Sequence, residues 1–202
     1  MDFQTKDLLF PPAKPDELLV IVGKFDQRGG AALDPTTRII ERLNTEFQNA
    51  NIKNVRVEPV NPSKAPIIHD KEEARRIGEL HNAVFAIWGW YDNAGFNPNF
   101  TITRKNGGSL RQVELKEIPV ETKDFNLYIR ESLPPQMAFF ATVTIGQIYY
   151  TDGNYDQALD TIQFAIDNME KIKRANGIEL PSGLSNLYAL RAYILDVIEN
   201  NT

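Results

Sequence analysis

Gly23-Lys24 follows directly on the apolar run Leu18-Leu19-Val20-Ile21-Val22, and Gly29-Gly30 comes soon after. Phosphate binding is therefore the first chemistry to weigh. A Walker loop needs a glycine five residues ahead of its Gly-Lys pair and a Ser or Thr behind it. Leu18 and Phe25 occupy those places. A dinucleotide fingerprint fails for a different reason. The next helix opens with Asp34-Pro35, so a carboxylate already uses its positive end, and proline removes a donor that a phosphate would need. The stretch from Gly23 to Leu33 reads instead as a glycine-rich loop, flexible or facing a partner.

Titratable candidates are few. The two histidines, His69 and His81, stand twelve positions apart and flank one expected helix, a separation with no metal-binding pattern behind it. His69 precedes the Asp70 cap and is expected to help position the helix start. His81 falls in the last turn, where a partial positive charge is favourable beside the helix carbonyls. Glu72 and Glu73 are a carboxylate pair only in sequence, because neighbours on a helix point apart. They read as solvated, or set beside Arg75 and Arg76. With no cysteine in the chain, disulfides, thiol chemistry and thiolate zinc sites are excluded. The expectation is no catalytic residue, no metal and no cofactor.

Trp88-Gly89-Trp90-Tyr91, with Phe96 and Phe100, is the densest aromatic cluster. On a strand Trp88 and Trp90 share a face, so two indole N–H groups need partners or water. Core is one reading. If the end of the sheet is uncovered, the pair makes a hydrophobic contact instead, which puts Trp88 and Trp90 among the candidate partner-binding residues.

The chain that must position these residues has 202 of them, 42% hydrophobic and 24% charged. That is an ordinary composition for one or two domains with a real core. No run approaches the roughly 20 apolar residues of a membrane span. Met1-Asp2-Phe3 has neither the basic start nor the apolar centre of a signal peptide, so no membrane association and a cytoplasmic place are expected. The net charge is −5; from Phe139 to Thr202 eight acidic residues face four basic ones, giving −4. Such a balance does not advertise phosphate backbones, and nucleic acid is not an expected partner.

Residues 1–16, with Pro11-Pro12 and Pro15, read as a strap or linker. Leu18 to Val22 is expected to be a strand buried on both faces. Asp34 caps a helix with the stripe Ile39, Ile40, Leu43 and Phe47. Residues 54–60 alternate as a second strand. Asp70-Lys71-Glu72-Glu73 resembles a capping box, and the helix behind it buries Ala74, Ile77 and Gly78. Ala83 to Tyr91 is a central strand. This order argues for right-handed parallel crossovers and a three-layer sheet. After the turn-like Asp92-Asn93-Ala94-Gly95, residues 99–103 return antiparallel, and residues 113–120 offer one more strand. Leu133-Pro134-Pro135 closes the sheet.

Beyond it, two amphipathic runs flank Thr151-Asp152-Gly153-Asn154, with Gly146 in the first and Ala158 and Ala165, seven apart, in the second. Small residues at those places suit a helical hairpin whose backbones nearly touch, with Gly153 as the left-handed stop of its first helix. Counting Phe139 as position one, Ile145, Gly146, Tyr149, Tyr155, Ala158, Ile162 and Ala165 match the signature of a tetratricopeptide repeat, and the stretch resembles that family. Thr142 departs from it at the usual tryptophan position, and no proline stands near the end of the second helix. The resemblance implies a concave face at Phe140, Val143, Gln147, Tyr150 and Thr151. Clamp-type members carry lysine and asparagine where Val143 and Gln147 stand, so an acidic C-terminal tail is not the implied ligand. A peptide or helix suits this mixed face better, unless the face packs on the sheet domain. Leu184 to Ile198 is expected to start a second repeat, with Leu187, Leu190, Ile194 and Val197 on one face. Ala192 stands in the place of Gly146, 46 residues on.

Residues 17–105 resemble the amino-terminal domain of TolB and its relatives. The matching residues are Val20-Ile21-Val22-Gly23-Lys24-Phe25, Val55-Arg56-Val57, Ala74 to Gly78, and Ala83 to Gly89. The family's propeller has no counterpart here.

Together these readings predict an α/β fold: a three-layer mixed-sheet domain over 17–134 behind a strap over 1–16. A helical region over 135–202 follows, one repeat and part of a second. The expected function is a non-enzymatic scaffold that binds a peptide or protein, with a homodimer possible through the terminal helix. The alternative is a regulatory sensor whose sheet domain takes a small molecule at the carboxyl ends of its strands.

Overall fold

β1 (Leu18–Val22) is buried at every residue, because it runs between two parallel neighbours with helices on both sides of the sheet. The computed structural model describes residues 9–29, 34–59, 62–92, 95–103, 118–119, 131, 133–176 and 184–200. The sheet adds β2 (Asp26–Gln27), β3 (Val55–Glu58), β4 (Phe85–Tyr91), β5 (Gly95–Ile102) and β6 (Ile118–Pro119). Its order is β3-β1-β4-β5-β6, with β2 beside β4. β3, β1, β4 and β2 pair in parallel, and β5 and β6 return antiparallel. The mixed α/β class expected from the chain order is therefore present. Of the last expected strand, residues 113–117 and 120 lie outside the described residues.

Side-chain alternation divides the core. Leu18, Val20 and Val22 join Phe85, Ile87 and Tyr91 under α1 (Thr36–Asn49), while Leu19 and Ile21 join Ala86 and Trp88 under α2 (Lys71–Leu80). β2 was not anticipated, since residues 23–33 read as loop. Four steps from Val22 to Asp26 oppose three from Ile87 to Trp90. β1 and β2 are thus one strand interrupted by a bulge, at which Phe25 drops into the core.

Capping signals act as their residue types require. Asp34 Oδ1 accepts the Thr36 N–H at 2.9 Å, but the N-cap position falls one residue later than expected, at Pro35, whose carbonyl accepts from the Ile39 N–H at 3.0 Å. Asp70 accepts the Glu73 N–H at 2.8 Å, and Glu73 reaches back to the His69 N–H at 3.0 Å. α2 lies so close to the sheet that a Cβ on Gly78 would stand 2.3 Å from Thr103 Cγ2.

The helical hairpin is α3 (Leu133–Thr151) and α4 (Tyr155–Asn176), followed by α5 (Leu184–Asn200). α3 takes in Pro134 and Pro135, which its first turn tolerates because those N–H groups have no helical partner. Gly153 has φ +78° and closes α3 as expected. A Cβ on Gly146 would meet Ile162 Cδ1 at 2.7 Å, so the two backbones do approach at the small residue. The core, however, runs unbroken across residues 134 and 135. α1, β5 and α3 share one cluster, and the Phe100 and Phe140 rings touch edge to face, 5.9 Å apart. Among the described residues no helix is long and apolar enough to cross a membrane.

Candidate functional site

The Gly23-Lys24 turn has no free backbone N–H to offer a phosphate. The Gly23 N–H goes to Ile87 O and the Lys24 N–H to Pro66 O, each at 2.8 Å, and the Phe25 N–H goes to Thr36 Oγ1 at 3.2 Å. A parallel bridge to Ile67 fixes Lys24. Gly29 has φ +141°; Gly30 to Leu33 lie outside the described residues.

The histidines part company. His69 is exposed, whereas His81 is fully buried. The Phe10 ring stacks on His81 with centroids 4.0 Å apart, and neither imidazole nitrogen makes a hydrogen bond of good geometry. Burial pushes the imidazole below its ordinary pKa. The nearby Phe10 backbone opposes this, Arg56 adds to it and Glu58 opposes it again. The expected charge–dipole role at the end of α2 is therefore overturned: a ring out of water is held neutral. Glu72 and Glu73 pair with Arg75 (3.1 Å) and Arg76 (3.9 Å). No group of three or more His, Cys, Asp or Glu among the described residues is arranged to hold a metal ion.

Trp88 is core. Its indole Nε1–H donates to Thr101 Oγ1 at 2.9 Å, and the ring is buried against α2. Trp90 is half-buried beneath the Arg28 guanidinium, 4.6 Å from the ring centroid. A partner can reach Trp90 but not Trp88.

The five groove positions divide in the same way. Phe140 and Val143 are buried in the core that joins the hairpin to the sheet, so a partner meets neither. Gln147 is half-buried and Thr151 is exposed, with its hydroxyl bonded to Ile148 O at 2.9 Å. Tyr150 is half-buried, with its ring against Tyr155 at 5.7 Å and Tyr193 at 5.9 Å. The warning was in α3 itself, whose run from Phe139 to Ile145 carries no charge and is apolar but for Thr142 and Thr144. A helix of that kind is buried all round.

α5 supplies what the groove does not. Leu187 and Ile194 are buried, and Leu190 and Val197 half-buried, so the apolar face expected to be open to a second copy is instead turned inward on the chain's own core. The outer face carries exposed Tyr188, Ala189, Ala192 and Tyr193, with Tyr188 44% and Tyr193 56% accessible. The Tyr188 hydroxyl donates to Glu170, and that bond raises its pKa.

A cavity of about 730 Å³ opens at the amino ends of β1 and β4, lined by Lys14, Asp16, Glu17, Asn54, Glu79 and Asp152 among others. The Tyr149 hydroxyl at its edge donates to Asn54 Oδ1, and burial raises the phenol's pKa. The cavity lies opposite the carboxyl ends of the strands, where a small-molecule site was expected. The chain matches no family model, no curated protein and no solved structure.

Proposed function

We propose that this chain is a non-enzymatic protein-interaction module, a TolB-like sheet body with a tetratricopeptide-like hairpin welded to it. Its contact face is the outer side of α5 rather than the groove of the hairpin. The observation that carries the reading is the exposure of Tyr188 and Tyr193 on either side of Ala192. Tyrosine contributes large contact area with a polar tip, which is why it is enriched in interface cores. Ala192 between them lets another helix approach closely, as Gly146 admits Ile162 inside the hairpin. The occupant is a helix of a partner protein or α5 of a second copy.

Ala192→Arg tests this without touching the core, because a surface substitution usually shifts stability by no more than about 0.5 kcal/mol. Sedimentation over a range of concentrations reads the second copy, and affinity capture reads the partner. Association that persists unchanged in Ala192→Arg means the contact face is elsewhere.

The cavity supports a second reading, a sensor that takes a small polar molecule at the amino ends of the strands. A melting temperature raised by a metabolite in the parent chain but not in Asn54→Ala would favour it.

A further inference from the structure

We propose that residues 9–17 are a latch across the α2 face of the sheet, and that it opens when His81 takes up a proton. The latch holds on by few contacts. Phe10 is its one fully buried side chain, set among Leu19, Ile21, Ile68 and Ile77, with Ala13 packed beside it. The Arg56 guanidinium donates to Pro11 O at 3.0 Å and Pro12 O at 3.2 Å, and grips Glu17 at 2.8 Å. The Ala13 N–H closes the line by donating to His81 O at 2.8 Å. His81 is thus tied to the latch twice, by its carbonyl and by the ring under Phe10.

A neutral imidazole carries one donor and one acceptor; in the buried ring neither makes a hydrogen bond of good geometry, and the Phe10 backbone beside it favours the proton less than burial disfavours it. Adding a proton there places a charge where water cannot reach it. Arg56 and Glu58 of β3 are the charges whose field reaches the ring, and they oppose one another. The neighbours from β1 and β4 (Leu19, Ile21, Ala86 and Trp88) bring no charge. Lys14 and Asp16 of the latch are exposed, and Glu17 is engaged by Arg56. That bond holds Glu17 below its ordinary value of 4.5, so Glu17 keeps its charge between pH 7 and pH 5.5, and a change of the latch over that interval comes from His81 rather than from the titration of this ion pair.

Lifting Phe10 returns the ring to water and its pKa toward the ordinary 6.5. The closed form therefore binds the proton more weakly than the open form. Closure is fully favoured above about pH 6.5 and weakens as the pH falls from there toward the closed-state value.

Amide hydrogen exchange at Ala13, expressed as a protection factor, reads the latch, and imidazole resonances read the two histidines separately. Protection should fall between pH 7 and pH 5.5, by at most about tenfold, the limit for one proton taken up below pH 6.5. It should fall equally in His69→Gln and stay level in His81→Phe. In Phe10→Ala the His81 titration should move up toward 6.5. Equal loss of protection in His81→Phe, constant protection in the parent chain, or a His81 titration that Phe10→Ala leaves in place would each overturn the proposal. Should His81→Phe not fold, the resonance titrations in the parent and in Phe10→Ala decide it alone.

Discussion

Gly89 sits between two tryptophans because the opposite face of β4 has no room for a side chain. A Cβ there would lie 2.2 Å from Asn97 O and 2.8 Å from the Phe25 ring. The bulge that drops Phe25 into the core and the glycine that receives it are one arrangement made from two distant residues. Gly78 does the same for α2. A methyl group at Gly78 would strike Thr103 Cγ2, Cβ and Oγ1 at 2.3 to 2.6 Å, and Thr103 Oγ1 is held by a 2.6 Å bond to Ala83 O. Alanine is the better helix former by about 1 kcal/mol, but overpacking a tight contact costs about 1–3 kcal/mol. At that distance the clash wins. We expect Gly78→Ala to lower the melting temperature, and a raised one would mean that α2 is not seated on Thr103.

At the scale of elements, three helices end in one way. In α1, α2 and α3 the residue past the cap bonds three back and the next bonds five back: Asn51 and Ile52, Asn82 and Ala83, Gly153 and Asn154. The first of each pair has positive φ: 55° at Asn51, 53° at Asn82 and 78° at Gly153. Asparagine tolerates that conformation and a branched side chain does not. Gly153→Asn should therefore leave stability almost unchanged, while Gly153→Val costs about 1–2 kcal/mol; equal denaturation midpoints would refute the shared motif. Signals of this local kind were legible in the sequence, including Asp34, Asp70, Gly153 and the two-faced apolar run of β4. The β2 pairing was not, because it comes from a register against β4 that no residue in 23–33 announces. The free face of α5 was also hidden. Its residue types are mixed, and which side meets α4 depends on how α3 has already been buried. Phe10 escaped notice since a single aromatic in a proline-rich strap has no periodicity to reveal its target.

For the molecule as a whole, the question is whether the hairpin is a second domain or a wall of the first. Rings run from β4 through β5 to α3, with Phe85–Phe100 at 6.0 Å, Phe100–Phe140 at 5.9 Å and Phe140–Phe139 at 5.4 Å. A polar tie stands beside them. Asn168 of α4 donates to Glu46 of α1, whose other carboxylate oxygen meets Arg42. Burial raises the pKa of Glu46 from 4.5 against the pull of Arg42 and Asn168. A folded-state value above the unfolded one means that this group's contribution is greatest below pH 4.5 and is lost as the pH rises through the raised value. Asn168→Ala removes a bond to the charged form, so its cost, about 1–3 kcal/mol at pH 7, should shrink at pH 4.5. Both tryptophans lie on β4, while α3, α4 and α5 dominate the helical circular dichroism, so two probes watch the two halves separately. If the core is continuous, tryptophan fluorescence and helical signal are lost at one urea midpoint, in the parent chain and in Asn168→Ala alike. Helical signal lost ahead of the tryptophan change would make the hairpin an independent domain and return Phe140 and Val143 to the list of surfaces a partner can reach.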